Sequence, residues 1–167
     1  NFRLKKIHGK GGFSASLLVE NKNLDRLEDI KILELEGPLA RQNFEKEAKI
    51  LAQLKHQNIA VIYDIKKHKN KVLFRTAHIP NGISLGKILD AYHSKGKLVP
   101  RNTAMKIFTD VLKALSHAHK KKILHLDIKP ENIIISFPEE ETALENILDD
   151  ISPEKISAYL IDFGIAQ

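Results

Sequence analysis

The order of apolar and polar residues predicts a first half built from short β-strands. Residues 3–20 contain two apolar runs on either side of a glycine cluster, which predicts two strands joined at that cluster. Residues 28–33 form a further β-type run with one lysine between isoleucines. Residues 59–79 predict a hairpin with a basic turn, and a Pro-Asn-Gly break at residues 80–82 marks the best candidate boundary in the chain.

Helical spacing of apolar residues predicts three helices, over residues 39–55, 84–92 and 102–121. In the first of these, a rotation of about 100° per residue places four apolar side chains on one face. They are Phe44, Ile50, Leu51 and Leu54.

Later in the chain, apolar runs at residues 123–124 and 133–135 predict strands on either side of a polar loop. Residues 158–161 predict another short strand close to the end of the sequence.

Composition limits the classes of protein to consider. The chain has 167 residues, of which 43% are hydrophobic, as in a globular domain. No run approaches the roughly 18 apolar residues of a membrane span, and the lack of cysteine excludes disulfides and thiolate metal sites. The net charge is +6, but the basic residues lie in short, dispersed tracts that are typical of solvated turns and helix ends. We therefore expect no nucleic-acid partner.

The polar loop, His125–Asn132, carries the most specific motif. Pro130 fixes its own φ and disfavours helix at Lys129, so the sequence predicts an extended, fixed loop. Asp, Pro and Asn are also ordinary turn residues, which is the alternative explanation. The run His-Leu-Asp-Ile-Lys-Pro-Glu-Asn nevertheless resembles the protein-kinase catalytic loop, H-R-D-x-x-x-x-N, in its serine/threonine form. That resemblance implies Asp127 as the catalytic base, Asn132 as a magnesium ligand and Lys129 as the cation beside the transferred phosphoryl group.

The glycine cluster is similar to the kinase glycine-rich loop, G-x-G-x-x-G-x-V. Glycines permit close approach of backbone N–H groups to phosphate, although a glycine-rich hairpin turn has the same composition. Ser14 replaces the third glycine and Ser16 replaces the valine that would cover adenine. The resemblance implies nucleotide contacts from this cluster, from the segment after residue 76 and from a later Asp-Phe-Gly. The residues implied are Ile7, Gly9, Gly11, Gly12, Phe13, Lys31, Ala77, His78 and Asp162.

Lys31 and Glu47 form a candidate ion pair. Lys31 stands in an apolar run, and Glu47 lies in the middle of the apolar face of the first predicted helix. A carboxylate there needs a cationic partner or loses several kcal/mol through desolvation, unless it is solvated at the rim of the face. The kinase resemblance implies that Lys31 orients the phosphates and pairs with Glu47.

Asp162-Phe163-Gly164 matches the kinase D-F-G motif, whose aspartate binds magnesium. It follows Asp127 by 162 − 127 = 35 residues, roughly twice the separation usual in that family. The surplus, residues 137–157, is acidic and predicts one amphipathic helix in a surface insertion.

Taken together, the motifs identify the sequence as similar to the protein kinases. The resemblance implies an α+β, two-lobe fold with a five-stranded antiparallel sheet and one helix in the first lobe, followed by a mainly helical lobe. The expected N-lobe is residues 1–79, the hinge is 80–83, and 84–167 form part of the C-lobe. Because the chain starts at Asn1 and stops just after Asp-Phe-Gly, we expect it to be a fragment.

The implied activity is transfer of the γ-phosphoryl group of ATP, with Mg²⁺, to a Ser or Thr hydroxyl of a protein substrate. The alternatives are a pseudokinase acting as a nucleotide-sensing or scaffolding module, suggested by Ser14 and Ser16, and a small-molecule phosphotransferase of related fold. The expected location is the cytoplasm, or a host-cell cytosol for a secreted protein.

Leu126 stands where most of these kinases carry an arginine that binds a phosphate on the activation segment. Leucine cannot bind phosphate, so we expect packing of Leu126 to hold Asp127, and activity that is constitutive or set by a regulatory partner. The alternative is that a basic residue farther along the protein does the work of the arginine.

Overall fold

The computed structural model describes residues 1–10, 14–34, 51–138 and 152–163. Several predictions lie outside these ranges: those for Gly11, Gly12, Phe13 and Glu47, for most of the helix over residues 39–55, and for the helix of the acidic insertion. Leu51 and Leu54, predicted on the apolar face of that first helix, are buried, but residues 52–53 form a turn and residues 54–55 are not helical, so the helix ends earlier than predicted. Within the described residues, no helix has the length and apolar character needed to cross a membrane.

The described residues fall into two compact units. The first, here called the sheet unit, contains residues 1–10, 14–34, 51–55 and 60–78. The second, here called the loop unit, contains residues 56–59, 79–138 and 152–163.

The sheet unit is a five-stranded antiparallel sheet, as the sequence predicts, with strand order β1-β2-β3-β5-β4. Its strands are β1 (Phe2–Lys10), β2 (Ser14–Asn21), β3 (Arg26–Glu34), β4 (Ile62–His68) and β5 (Lys71–Ala77). Val72 and Phe74 of β5 are buried and pack with Leu33 and Ile65. The apolar alternation of β3 and β5 therefore forms a core on one face of the sheet.

The hairpin predicted over residues 59–79 is shorter than expected at its start. Its first strand begins at Ile62, because Ile59 instead forms a parallel bridge with Leu160 in the loop unit. The turn lies at Lys69, whose φ of 56° is left-handed and reverses the chain between β4 and β5.

The loop unit contains two helices and a second, small sheet. Its elements are β6 (Gly82–Ser84), α1 (Leu85–Ser94), α2 (Arg101–Lys120), β7 (Ile133–Ser136) and β8 (Ser157–Leu160). The strands form an antiparallel sheet in the order β6-β7-β8, which the sequence did not predict. Gly82 is required there, because an added Cβ would lie 2.6 Å from the side chain of Ile134 and 2.8 Å from the carbonyl oxygen of Ile79.

The strand predicted at residues 123–124 is not present. Instead these residues follow the C-terminal turn of α2, where Lys122 donates to His119 and Ile123 donates to Ala118 through their backbone N–H groups. Lys122 has φ of 60°, and this pair of hydrogen bonds is the Schellman arrangement that ends many helices. The chain therefore leaves α2 through a left-handed turn and enters the polar loop without forming a strand.

Candidate active site

The polar loop is fixed at both ends by local backbone structure. It begins after the left-handed turn at Lys122 and ends in a short 3-10 turn, Pro130–Asn132, that leads directly into β7. Lys129 has φ of −154° and ψ of 161°, so it is extended, as the following proline predicts. The Asn132 N–H donates to the Lys129 carbonyl, which closes the turn and brings Asn132 back toward the start of the loop.

His125 anchors this loop to the segment that follows β8. Its ring is buried, and its Nε2 lies 2.9 Å from the carbonyl oxygen of Ile161. The Asp127 N–H donates to Nδ1 at 3.3 Å. A carbonyl can only accept and an amide can only donate, so the two contacts fix the neutral tautomer with its proton on Nε2. Burial lowers the pKa of His125, which agrees with a neutral ring.

Phe163 contributes to the same anchor. Its ring centroid lies 4.5 Å from that of His125, and its side chain is buried. From the sequence, His125 was part of the loop motif but had no assigned role. The structure shows that it joins the loop to the Asp-Phe-Gly segment.

Asp127, Lys129 and Asn132 meet at the surface of the loop unit. Lys129 Nζ lies 2.7 Å from Asp127 Oδ2, and Asn132 Nδ2 lies 2.9 Å from both the Oδ2 and the carbonyl oxygen of Asp127. The hydrogen bonds from Lys129 and then Asn132 hold the pKa of Asp127 below its ordinary value. The Asp127 carboxyl hydrogen bond raises the pKa of Lys129. The three side chains therefore form a charged, ionised group.

Asp162 lies beside this group. The Ile161 N–H donates to the carbonyl oxygen of Asn132 at 3.0 Å, which sets the start of the Asp-Phe-Gly segment against the end of the polar loop. Asp162 has φ of 57°, a left-handed conformation that aspartate tolerates better than most residues. The charge of Asp162 also contributes to raising the pKa of Lys129. The structure thus brings together Asp127, Lys129, Asn132 and Asp162, four of the residues named from the sequence.

The side-chain oxygen atoms of Asn132 and Asp162 suit a magnesium ion that is also bound by phosphate oxygens. The amide nitrogen of Asn132 is committed to Asp127, so its Oδ1 is the atom that remains for a hard cation. Asp162 supplies a carboxylate nearby. Among the residues that the structure describes, no three His, Asp or Glu side chains converge on a metal position. Mg²⁺ that is bound with a nucleotide takes one or two protein ligands together with phosphate oxygens.

Leu126 does not hold Asp127 by packing, contrary to the expectation from the sequence. Its side chain is 57% exposed and its φ is 64°. Among the described residues, Asp127 is held instead by His125, Lys129 and Asn132.

In the sheet unit, Lys31 lies in the middle of β3. Its cross-strand partners are Ser16 on β2 and Phe74 on β5, which therefore project from the same face. Asp29, two residues earlier on β3, belongs to that face as well. The face carrying Lys31 is hereafter called the lysine face.

The remaining nucleotide-contact candidates occupy different places on the sheet. Ile7 pairs with Leu17 in the cross-strand row of Ile30, so it projects from the face opposite Lys31. An irregularity between Ile7 and Gly9 turns the intervening His8 toward Asp29 on the lysine face.

Gly9 pairs with Ser16, and an added Cβ at Gly9 would meet nothing within 4 Å. Ala77 ends β5 and donates its N–H to the Val61 carbonyl, and His78 follows it, with Nδ1 2.9 Å from Asp29 Oδ2.

Comparison with known proteins places the chain in a family. The protein kinase domain family model matches residues 2–167. The chain is 30% identical over 164 residues to the probable serine/threonine-protein kinase fhkA of Dictyostelium discoideum, covering 95% of this chain and 25% of that protein. It is 32% identical over 139 residues to the serine/threonine-protein kinase PrkC of Bacillus subtilis, covering 80% of this chain and 20% of that protein. The chain thus spans a quarter or less of the length of these relatives.

The fold is that of a solved kinase domain. The chain superposes on the kinase domain of Mycobacterium tuberculosis PknI with a TM-score of 0.77 and 20% identity, covering 99% of this chain and 59% of that one. At this identity the likeness shows the fold alone. From the match of the family model over residues 2–167, together with these relatives, we conclude that the chain belongs to the protein kinase family.

Proposed function

We propose that the intact protein is an ATP- and Mg²⁺-dependent serine/threonine protein kinase. The observation that carries this proposal is the joined group of Asp127, Lys129 and Asn132, set beside Asp162 by the Ile161–Asn132 hydrogen bond. A base, a cation and two magnesium-ligand candidates are the parts that phosphoryl transfer needs, since catalysis depends mainly on positioning and charge stabilisation.

In this proposal each residue has a separate task. Asn132 and Asp162 hold Mg²⁺, which when bound offsets the negative charge of the phosphates. Lys31 orients the phosphates, and Glu47, the partner expected from the sequence, orients Lys31. Lys129 stabilises the negative charge on the transferred γ-phosphoryl group.

Asp127 accepts the proton of the substrate hydroxyl. The hydroxyl oxygen forms a bond to the γ-phosphorus, the bond from that phosphorus to the β–γ bridging oxygen breaks, and its electron pair leaves with ADP. Because Lys129 and Asn132 keep Asp127 ionised, its carboxylate is available as a proton acceptor throughout the neutral pH range. A base with a lowered pKa accepts the proton late, as bond formation to phosphorus proceeds.

The nucleotide contacts in the proposal come from the segment around Gly9, Gly11, Gly12 and Phe13 and from the backbone at Ala77 and His78. The side chain of Ile7 projects from the face of the sheet opposite Lys31. Only the backbone of Ile7 therefore remains a candidate contact to the adenine base. The relatives named as serine/threonine kinases support a Ser or Thr hydroxyl of a protein as the acceptor.

The test is transfer of labelled phosphate from γ-labelled ATP to the full-length protein itself or to a generic Ser/Thr substrate. We expect Mg²⁺-dependent labelling that Asp127→Asn abolishes. The matched control is Asp90→Asn on the exposed side of α1, which should leave the labelling rate unchanged. If the wild-type protein folds and binds MgADP but transfers no phosphate, the protein is a nucleotide-binding module and the proposed activity is wrong.

A further inference from the structure

A cavity of about 480 Å³ lies in the loop unit between His56 and one face of α2. This volume is within the range of sites that bind small molecules, about 300–1,000 Å³. The helix contributes residues three or four positions apart, which is the spacing of a single helix face. They include Leu112, Lys113, Ser116, His117 and Lys120. The residues of the candidate active site do not line this cavity, which is hereafter called the α2 cavity.

His117 brings an unfilled hydrogen-bonding position to the α2 cavity. Its Nε2 atom is buried and has no hydrogen-bond partner among the described residues. The ring packs against His56, with the two ring centroids 5.1 Å apart. A buried nitrogen without a partner costs free energy in the folded protein, so its presence needs an explanation. An oxygen atom of a ligand in the cavity supplies the missing partner.

His56 provides a second donor on the other side of the cavity. The Asn58 N–H donates to His56 Nδ1 at 3.1 Å, so the neutral ring carries its proton on Nε2. Burial, and then the neighbouring His117 and Lys113, lower the pKa of His56, which agrees with a neutral ring. Nε2 of His56 is therefore a hydrogen-bond donor without any change of protonation.

Two lysines give the cavity a positive charge that no nearby carboxylate balances. Neither Lys113 nor Lys120 has an ion-pair partner among the described residues. Asp110, which also faces His56 electrostatically, is buried and is already bound by Lys106 and by the Ala158 N–H. These unbalanced charges favour an anionic ligand.

The position of Lys113 argues against a simpler explanation. Cations are stabilised in the last turn of a helix by the helix dipole, and this accounts for Lys120 at the end of α2. Lys113 lies seven residues earlier, about two turns from the end, where that effect has faded. The dipole therefore does not account for both lysines.

The arrangement of the charges and of one apolar side chain indicates what kind of anion fits. Lys113 and Lys120 are about 10.5 Å apart along the helix axis, with His117 between them. Their long, flexible side chains can bring both ammonium groups to one anion above His117. Leu112 is 62% exposed and, with the methylene stems of the lysines, forms an apolar wall beside them.

We propose that the α2 cavity binds a small organic phosphate monoester. Lys113 and Lys120 hold the phosphate, which carries a charge of about −1.5 to −2 at neutral pH and so matches two lysines. The Nε2 atoms of His56 and His117 donate to its oxygens, and the organic part lies against Leu112. The inference does not depend on the proposed kinase activity, because it uses none of the residues assigned to nucleotide binding or phosphoryl transfer.

The experiment titrates the full-length protein with phenyl phosphate in a calorimeter. Phenyl phosphate combines the phosphate monoester with an apolar ring. Benzoate has the ring but only one negative charge, and we expect it to bind about ten-fold more weakly. Inorganic phosphate lacks the apolar part and should also bind more weakly. Benzoate binding as tight as that of phenyl phosphate would overturn the assignment to phosphate monoesters.

Lysine variants locate the binding site. Lys113→Met keeps the apolar stem but removes the charge, and we expect it to bind phenyl phosphate about ten-fold more weakly. The matched control is Lys121→Met, which removes the same charge from an exposed position at the end of α2 and should keep the wild-type affinity. Lys31→Met should keep it too. Loss of affinity in Lys31→Met would place the probe at the nucleotide site and overturn the inference.

A histidine variant separates ligand binding from a structural role. His117→Phe keeps a ring beside His56 but has no nitrogen atom. We expect phenyl phosphate to bind about ten-fold more weakly, whereas urea unfolding should show no loss of stability, because Nε2 has no partner to lose. A destabilised His117→Phe with unchanged affinity would show a purely structural histidine and overturn the inference. So would equal affinity of wild type and Lys113→Met, or no binding of millimolar phenyl phosphate by the folded wild-type protein.

Discussion

The Nε2 atom of His125 lies 2.9 Å from the carbonyl oxygen of Ile161, a residue 36 positions later in the chain. Through this contact, and through the N–H of Asp127 on the other ring nitrogen, one buried side chain joins the loop that carries Asp127 to the segment that carries Asp162. The acidic insertion lies between these two segments in sequence. His125 therefore preserves their mutual position although the chain between them is long.

Replacing His125 with phenylalanine separates packing from hydrogen bonding. His125→Phe keeps an aromatic ring next to Phe163 but leaves the Ile161 carbonyl and the Asp127 N–H without their ring partners. We expect a loss of about 1–3 kcal/mol in the free energy of unfolding, the usual cost of unpaired buried groups. Urea unfolding of the full-length protein measures this loss. We expect His119→Phe, an exposed position near the end of α2, to change stability little, and equal stability of the two variants would contradict the role of His125.

The neutral state of His125 also predicts a pH dependence of stability. Burial lowers the pKa of this ring below its ordinary value of 6.5, so the unfolded chain binds a proton more readily than the native protein. The contribution of His125 to stability is therefore complete above pH 6.5 and decreases as the pH falls below that value. Stability curves at pH 7.5 and 5.5 should diverge more for wild type than for His125→Phe, and equal divergence would show that His125 does not titrate on unfolding.

The pair of Lys129 and Asp127 predicts a shift in the pH–rate profile. Because Lys129 is the main cause of the lowered pKa of Asp127, Lys129→Met should move that pKa upward. Protonated Asp127 cannot act as the base, so the acid limb of kcat/KM should move to higher pH. Loss of one oriented charge should also reduce kcat by about 10²–10³.

Steady-state kinetics from neutral pH down to below the ordinary aspartate pKa of 3.8 measure both effects. The control is Lys66→Met, which removes an exposed lysine paired with Asp64 on β4 and should change neither quantity. A lower kcat with an unmoved acid limb would show that Lys129 contributes charge to the transition state without controlling Asp127.

Much of the sheet unit could be predicted because its signals are local. Strands β1, β2, β3 and β5 are seven to nine residues long, alternate in polarity and are bounded by turn residues. In the loop unit the sequence predicted strands at the positions of β7 and β8, but not the three-residue β6 or the pairing of the three strands into a sheet. Their pairing also joins distant positions such as Ile83 and Ile135, which periodicity cannot connect.

Some residues of the candidate site could be predicted from the sequence, and others could not. Asp127, Lys129 and Asn132 lie within six consecutive residues, so a motif locates them together. The contact of His8 with Asp29 depends on a register shift in β1, and the contact with His78 depends on the pairing of β3 with β5. No pattern along the chain specifies either one. The same register shift places His8 on the lysine face and Ile7 on the opposite face, which the sequence pattern does not specify.

Replacing Glu28, which lies on the face of the sheet opposite the lysine face, should reduce the stability of the protein. Its side chain is fully buried and accepts hydrogen bonds from Arg75 at 2.8 Å, Asn21 at 2.8 Å and Arg26 at 2.9 Å. Glu28→Gln removes the anion shared by the two guanidinium groups, while Arg75 keeps Asp64 at 3.1 Å, and we expect a loss of about 1–3 kcal/mol in unfolding free energy. Glu20→Gln, in a partly exposed pair with Lys5, should cost less than about 1 kcal/mol.

The Glu28 carboxylate should also make the stability of the protein sensitive to acid. Burial raises the pKa of Glu28, but the hydrogen bonds from Arg75, Asn21 and Arg26 outweigh it and lower the pKa from 4.5 to about 2. The native state therefore binds this proton less readily than the unfolded state, and the stabilisation is complete above pH 4.5 and is lost as the pH falls toward 2. Wild type should lose more stability than Glu28→Gln over that range in chemical unfolding experiments. Parallel losses would show that Glu28 is not the group responsible.

The leucine at position 126 leads to a prediction about how kinase activity is controlled. Kinases with arginine at this position use it to bind a phosphate on the activation segment, and that contact orders the active conformation. Leu126 is uncharged and its side chain is 57% exposed, while Asp127 is already held by His125, Lys129 and Asn132. Asp127 therefore has its position without a phosphate contact at Leu126, and we expect phosphatase treatment of the full-length protein to leave most of its activity. A phosphopeptide treated in parallel confirms that the phosphatase is active. Loss of most kinase activity, recovered on rephosphorylation of the activation segment, would show that a different basic residue reads the phosphate and that control does not depend on position 126.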